Sequence, residues 1–175
     1  KVIYGEPEKV ELDLKKLSDL DLARFVEHKN DWYVRHSRRI LQERAAERAR
    51  EIADKTRPRA PANDHVVPEF ISKPAEEYLV KTFGSHTDDS RRLRVLWTLH
   101  AVRSSVRDRD RAAIADKSEK VRAWGLQLST EDPDQYIHNQ GVDSRSASKL
   151  VGSTPIERLG VASTALRLGP SASIE

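Results

Sequence analysis

The sequence contains no cysteine and no methionine. The lack of cysteine excludes disulfides, zinc–thiolate sites, thiol nucleophiles and covalent c-type haem attachment within these residues. No apolar run approaches the roughly 20 residues that span a bilayer, so no membrane span is predicted. The chain starts at Lys1 without an initiator methionine or a signal-peptide pattern. This start predicts a fragment or a processed product whose targeting signal lies elsewhere.

The charge balance is close to neutral despite many charged residues. Of the 175 residues, 37% are hydrophobic and 34% are charged, with 31 Lys and Arg against 28 Asp and Glu. Such a composition suits thin, two-layer helical stacks better than one deep globular core. The net charge of +3 is spread over a mixture of both signs. It indicates a mild surface bias and is not the charge pattern of a dedicated nucleic-acid binder, so nucleic acid is not the expected partner.

A short sequence pattern occurs at residues 30–41, at 117–128 and, more faintly, at 153–162. Each copy has a helix-capping residue, an arginine four residues later and an amphipathic continuation. The caps are Asp31, Ser118 and Thr154, and the arginines are Arg35, Arg122 and Arg158. The first two copies are separated by about two repeats of the roughly 40–47 residues of HEAT-like units. Repetition of a capped helix predicts stacked helical hairpins, which usually bind other molecules rather than catalyse.

Helix start and stop signals recur along the chain and predict an all-α protein. A short helix follows the cap Ser18, and the longest helix runs from Asp31 to about Asp54. Pro74 lies in the first turn of the next helix, which carries Leu79, Val80 and Phe83 and stops at Gly84. Later helices are predicted from a cap at Asp88, Asp89 or Ser90, over Arg109–Ala115, after Ser118, and from Pro155. The predicted fold is a HEAT-like α-solenoid of stacked hairpins with a short N-terminal β remnant at residues 1–5.

One segment resembles a known family. The run Asn-Asp-Trp-Tyr-Val-Arg-His at 30–36, with residues 2–5 and 13–18 before it, is similar to large exported proteins of planctomycetes and verrucomicrobia. The segments 91–100 and 121–128 match the next helices of those proteins. In that family, a β-propeller similar to glucose/sorbosone-type sugar dehydrogenases precedes a HEAT-like helical region. A haem-binding cytochrome c domain often follows.

The resemblance implies a bacterial, exported or periplasmic helical module of a dehydrogenase-like protein. Residues 1–17 would be the end of the upstream propeller or an extended arm, 18–168 the HEAT-like repeat domain, and 169–175 a frayed end or linker. The implied partners are the neighbouring propeller and cytochrome-type domains or another subunit. Glu157 stands where that family usually has an apolar residue. Neither the propeller's catalytic residues nor a Cys-x-x-Cys-His motif is present, so no enzyme activity is expected here.

Several side chains have both a structural and a functional interpretation. The three repeat arginines are predicted to bind helix caps or a neighbouring repeat, with a grip on an anionic partner as the alternative. Trp97 and Trp124 are predicted to anchor the core, the alternative being a stacking platform for a base or a sugar. The candidate interaction surface consists of Trp32, Tyr33, Arg38 and Arg39.

No catalytic, cofactor or metal site is predicted. The six histidines are scattered, and the closest pair, His28 and His36, lacks a third ligand at metal spacing. An acid–base pair of His36 with Asp31 or Glu43 is the alternative, but no nucleophile motif accompanies it.

Two functions therefore compete. The first is a non-catalytic scaffold or protein-interaction module. The second is a nucleic-acid-binding protein of the HEAT-like DNA glycosylase type. A uniformly positive concave face would favour the second function, and a face of mixed charge would favour the first.

Overall fold

The structure, a computed structural model, describes four stretches of the chain, residues 12–55, 70–103, 106–131 and 154–168. These stretches contain α-helices and short 3-10 helices but no β-strand, which confirms the all-α class. The predicted strand at residues 1–5 and the predicted frayed end at 169–175 lie outside the described residues. The β remnant stays a prediction.

The helices have nearly the bounds that local sequence signals predict. They are α1 (Asp19–Arg24), α2 (Asp31–Lys55), α3 (Lys73–Ser85), α4 (Asp89–Ala101), α5 (Val106–Ile114), α6 (Glu119–Ser129) and α7 (Pro155–Leu168). Two 3-10 helices, Leu14–Lys16 and Phe25–Glu27, flank α1. Agreement is close because caps and proline act on the backbone beside them.

Polar side chains set the start of the first two helices. The Ser18 hydroxyl accepts the backbone N–H of Asp21 at 3.1 Å and donates to its carboxylate at 2.6 Å, as in a capping box. The cap predicted at Asp31 lies one residue earlier, because the side-chain oxygen of Asn30 accepts the N–H of Trp32 at 3.0 Å. Asp31 is the first helical residue, and its carboxylate forms ion pairs instead.

Asp88 is the cap of α4 among the three candidates. Its carboxylate accepts the N–H of Ser90 at 2.7 Å and that of Arg91 at 3.4 Å. Asp89, one residue later, binds the buried Arg92 at 2.6 Å. Asp88 therefore caps the helix backbone, whereas Asp89 binds an arginine of the same helix and also accepts the hydroxyl of Ser118, at the start of α6, at 2.8 Å.

The helices pack in consecutive pairs, α1 with α2, α3 with α4 and α5 with α6. Between pairs, α1 lies against α3, α2 against α4 and α4 against α6, and α7 covers α6. Leucine and valine side chains fill the space between them, and the main core cluster includes Leu22, Leu41, Leu79, Val95, Leu96, Leu99, Val102 and Val121. These positions follow the apolar stripes of the helices.

One of the three apolar residues named for α3 faces outward. Leu79 is fully buried and Phe83 is nearly so, but Val80 is 51% exposed. Thr82 is buried instead, and its hydroxyl is satisfied by the carbonyl of Tyr78 at 2.8 Å. The stripe of α3 therefore contains a back-bonded threonine that a search for apolar residues overlooks.

Gly125 allows the closest approach of α5 and α6. A Cβ at this position would lie 2.8 Å from the Ala113 Cβ and 3.0 Å from backbone atoms of Ala113 and Ile114. We expect Gly125→Ala to lower the free energy of unfolding by about 1–3 kcal/mol, since backbone atoms cannot move aside easily. Urea unfolding measures this change.

The control is Gly84→Ala, where no atom lies within 4 Å. There we expect a gain of up to about 1 kcal/mol. Equal stability of the two variants would contradict this packing.

Candidate interaction surface

Arg122 is the one repeat arginine that contacts another helix among the described residues. Its Nε and Nη2 each lie 2.5 Å from Oε1 of Glu157 in α7, and Nη1 donates to the carbonyls of Asp116 and Lys117 at 2.7 and 2.9 Å. Glu157 is fully buried, and its N–H bonds to the cap Thr154 at 3.3 Å. A buried carboxylate with an arginine partner thus occupies the place of the apolar residue implied by the family resemblance.

The other two repeat arginines face outward. Arg35 binds Asp31 within its own helix at 2.5 Å, and its side chain is 73% exposed. Arg158 is exposed, and its backbone N–H donates a hydrogen bond to the carbonyl of Thr154 at 3.0 Å. Equivalent sequence positions therefore have different roles, because only α6 has a buried acid of another helix beside its arginine.

Ser118, Trp97 and Trp124 lie between elements. The Ser118 hydroxyl donates to Asp89 at 2.8 Å, which ties the start of α6 to the start of α4. Trp97 and Trp124 meet edge to face, with ring centroids 5.1 Å apart, and both are half-buried. This geometry joins α4 to α6 and leaves part of each ring at the surface.

The start of α2 presents an exposed aromatic stack. Trp32 is 52% exposed and lies on the His36 ring, with centroids 3.8 Å apart. The Nδ1 of His36 lies 2.9 Å from the carbonyl of Trp32. The Tyr33 ring meets Trp32 edge to face at 5.0 Å and stacks on Phe25 at 5.6 Å. Of the two aromatic residues predicted for the surface, Trp32 is thus on the outside and Tyr33 supports it.

Arginines of α4 border this stack. Arg91 and Arg94 both donate to the carbonyl of His28, at 2.9 and 3.2 Å. Arg94 also pairs with Asp31 at 3.1 Å, the same carboxylate that binds Arg35. Packing of α2 on α4 therefore gathers three arginines around one acid and one carbonyl.

Arg38 lies at the centre of this region. Its guanidinium is 5.8 Å from the ring centroid of Trp97, within range of a cation–π interaction. Burial lowers the pKa of Arg38; Asp31 opposes this effect, whereas Arg35 and Arg94 add to it. Arginine stays protonated, so the lowered pKa marks a cation that is partly desolvated and close to like charges. Within the described residues no carboxylate lies within ion-pair distance of Arg38.

Arg39, the fourth predicted surface residue, is exposed but already paired, with Glu43 at 2.8 Å. We define the aromatic–arginine surface as Trp32, Arg35, His36, Arg38, Arg94 and Trp97. The acids Asp31 and Glu43 lie in or beside it, so its charge is mixed with an excess of positive charge. Sequence reasoning missed Arg94, although its spacing of three residues from Trp97 places both on one side of α4.

Two classes of site are absent from the stretches that the structure describes. They contain no cluster of three or more His, Asp or Glu side chains arranged to hold a metal ion. None of their helices combines the length and the apolar character required to cross a membrane. Comparison of the chain with protein families, curated proteins and solved structures found no match.

Proposed function

We propose that the chain is a non-catalytic helical-repeat module that binds another protein through the aromatic–arginine surface. Stacking of α1 on α3, and of α2 on α4 and α4 on α6, supports a HEAT-like solenoid in which pairs of helices repeat. In such arrays one row of helices forms an extended binding face. The aromatic–arginine surface spans two helices of one such row, α2 and α4.

The observation that carries this proposal is the coexistence of an exposed aromatic stack and an arginine with no carboxylate partner. Trp32 presents a large apolar area to solvent, although the core below it is well packed. Tryptophan and arginine are the residues that most often dominate the affinity of protein interfaces. Arg38, on the same helix, supplies a cation that makes no direct ion pair within the described residues, although Asp31 acts on its charge from nearby.

The resemblance in the sequence leads us to propose a setting for the module. It would be the helical region of a large exported bacterial protein, located in the periplasm or outside the cell. Its partners would then be the neighbouring propeller and cytochrome-type domains or another subunit. The segment that starts at Asn30 supports this assignment, since it carries both the family-like run and the exposed Trp32.

Nucleic-acid binding, as in HEAT-like DNA glycosylases, is the second candidate. It is favoured by the position of Arg38, whose guanidinium is 5.8 Å from the centroid of the partly exposed Trp97 ring. The carboxylates of Asp31 and Glu43 oppose it, because they would repel a phosphate backbone.

A display library of random peptides, panned on the purified chain, tests the protein-binding function. We expect peptides whose binding is lost with the double variant Trp32→Ala/Arg38→Ala and kept with Lys81→Ala, an exposed control on α3. The double variant should raise the Kd at least tenfold, which corresponds to a loss of about 1.4 kcal/mol of binding free energy. Circular dichroism verifies that the variants remain helical.

The proposal is wrong if no peptide depends on the surface while DNA binds there. Peptides that bind equally to both variants would also contradict it, since their contacts would lie elsewhere. Steep weakening of DNA binding with salt would identify phosphate contacts and support the second candidate.

A further inference from the structure

The aromatic–arginine surface also carries information about the chemistry of its partner. Arg35, Arg91 and Arg94 rely on two acceptors, the carboxylate of Asp31 and the carbonyl of His28. Arg38 adds a further cation without adding an acceptor. Other half-buried or buried arginines of the described stretches contact a carboxylate directly, as Arg92 and Arg122 do. Arg44 and Arg48 do so by sharing Asp19. Arg38 differs from them, because no carboxylate of the described residues lies within ion-pair distance of it, so the α2–α4 contact holds more cations than acids.

We propose that this surface binds an acidic segment of a protein, whose carboxylates pair with Arg35, Arg38 and Arg94 while a neighbouring apolar side chain lies on the Trp32–His36 stack. This proposal rests on the protein-binding function given above and adds the chemical class of the partner.

The position of Arg38 is the first argument for an acidic ligand. The Trp97 ring fixes one side of the guanidinium, and the surrounding helices remove part of its water. Asp31 acts favourably on its charge, but that carboxylate already pairs with Arg35 and Arg94, and both of these like charges act against Arg38. A carboxylate would accept two parallel hydrogen bonds from the guanidinium and relieve the repulsion, so binding would be strongest at this residue.

The aromatic stack is the second argument, and it favours a peptide. The Trp32 and His36 rings lie nearly parallel, with an interplanar angle of 22°. Hydrogen bonding of His36 to the carbonyl of Trp32 holds the pair in place. A preorganised apolar surface next to cations suits a chain in which acidic and apolar side chains alternate.

The pattern of charge is the third argument, and it disfavours nucleic acid. A phosphate backbone presents a long, uniform row of negative charges and requires a matching row of cations. Here the cations form a compact cluster, with Asp31 within it and Glu43 on the next turn of α2. An acidic peptide can place its carboxylates to avoid these two acids.

Fluorescence anisotropy with a labelled peptide of alternating glutamate and leucine tests the proposal. The matched probe has glutamine in place of each glutamate, and single-stranded oligothymidylate is the nucleic-acid probe. We expect the acidic peptide to bind, and the glutamine peptide to bind at least about tenfold more weakly. Arg38→Ala should weaken the acidic peptide roughly tenfold, whereas Arg38→Lys should restore only part of the affinity. Lys81→Ala serves as the matched control and should leave the Kd within about twofold.

Three results would overturn the proposal. Equal binding of the glutamate and glutamine peptides would show an apolar docking site, so the protein-binding function would stand while the acidic partner would not. Preference for oligothymidylate, lost with Arg38→Ala, would overturn both. Absence of acidic-peptide binding, when the display library yields peptides that depend on Trp32 and Arg38, would reject the acidic partner alone.

Discussion

Replacing Arg92 with methionine is expected to lower the free energy of unfolding by about 3–5 kcal/mol, the range for breaking one partner of a buried ion pair. The Arg92 side chain is only 4% exposed, and Asp116 only 8%. Its Nη1 donates to both carboxylate oxygens of Asp116, at 2.8 and 2.6 Å, and its Nη2 donates to Asp89 at 2.6 Å. Methionine has a similar length but would leave the Asp116 carboxylate buried without a cation.

The expected effect is large because the two acids that bind Arg92 also hold the residue before α6. Asp116 also accepts the N–H of Ser118 at 2.7 Å, and Asp89 accepts the Ser118 hydroxyl at 2.8 Å. Loss of Arg92 therefore affects the position of the turn between α5 and α6. Arg92→Lys should be intermediate, because lysine keeps the charge but cannot form the forked contact to both acids.

Urea unfolding followed by circular dichroism measures the change. Arg111→Met is the matched control, since Arg111 is exposed on α5, and its effect should stay below about 0.5 kcal/mol. If Arg92→Met were no less stable than Arg111→Met, the buried network at the start of α4 would not exist as described.

Asp19→Asn is expected to lower the free energy of unfolding by about 2–3 kcal/mol at neutral pH. This loss is smaller than for a fully buried ion pair, because the side chains of Arg44 and Arg48 reach solvent. The Asp19 side chain is 4% exposed and pairs with Arg44 at 2.8 Å and Arg48 at 2.7 Å. It also accepts the N–H of Ser72 at 2.9 Å. Because Arg48 donates to the carbonyl of Phe70 at 3.0 Å as well, the cluster joins α1, α2 and the start of α3.

The same carboxylate gives this prediction a pH dependence. Burial by itself raises the pKa of Asp19. Hydrogen bonds from Arg44, Arg48 and the Ser72 backbone together lower the pKa by more than burial raises it, so the pKa in the folded chain lies below its ordinary value. A lowered pKa contributes stability that is fully present above the ordinary value of about 3.9 and is lost as pH falls through the folded pKa. The difference between wild type and Asp19→Asn should be constant near neutrality and should shrink below about pH 4.

Denaturation curves at several pH values check both parts of this prediction. Asp54→Asn, an exposed position near the end of α2, is the control and should change stability by less than about 0.5 kcal/mol at neutral pH. A difference between wild type and Asp19→Asn that grew on acidification would contradict the assigned sign.

The candidate surface was only partly predictable. Trp32 and Arg38 could be selected from the sequence because both belong to the repeated pattern at the start of the longest helix. Arg94 could not be joined to them, since its contact with Asp31 requires α4 to pack on α2. Tyr33, although adjacent to Trp32, supports the surface from within because of its contact with Phe25. Sequence proximity did not indicate which of two neighbouring rings faces solvent.

The sequence by itself determined the helical class and nearly all helix bounds in the described residues, because caps, prolines and apolar stripes act within a few residues of one another. Tertiary structure decided which acid each buried arginine meets. Asp19 pairs with Arg48, Arg92 with Asp116 and Arg122 with Glu157, each across more than 20 residues of chain. Such pairs depend on how helices stack, and sequence spacing does not encode that distance. The same packing of α4 on α2 brings Arg94 to Asp31 and places the guanidinium of Arg38 5.8 Å from the centroid of the Trp97 ring.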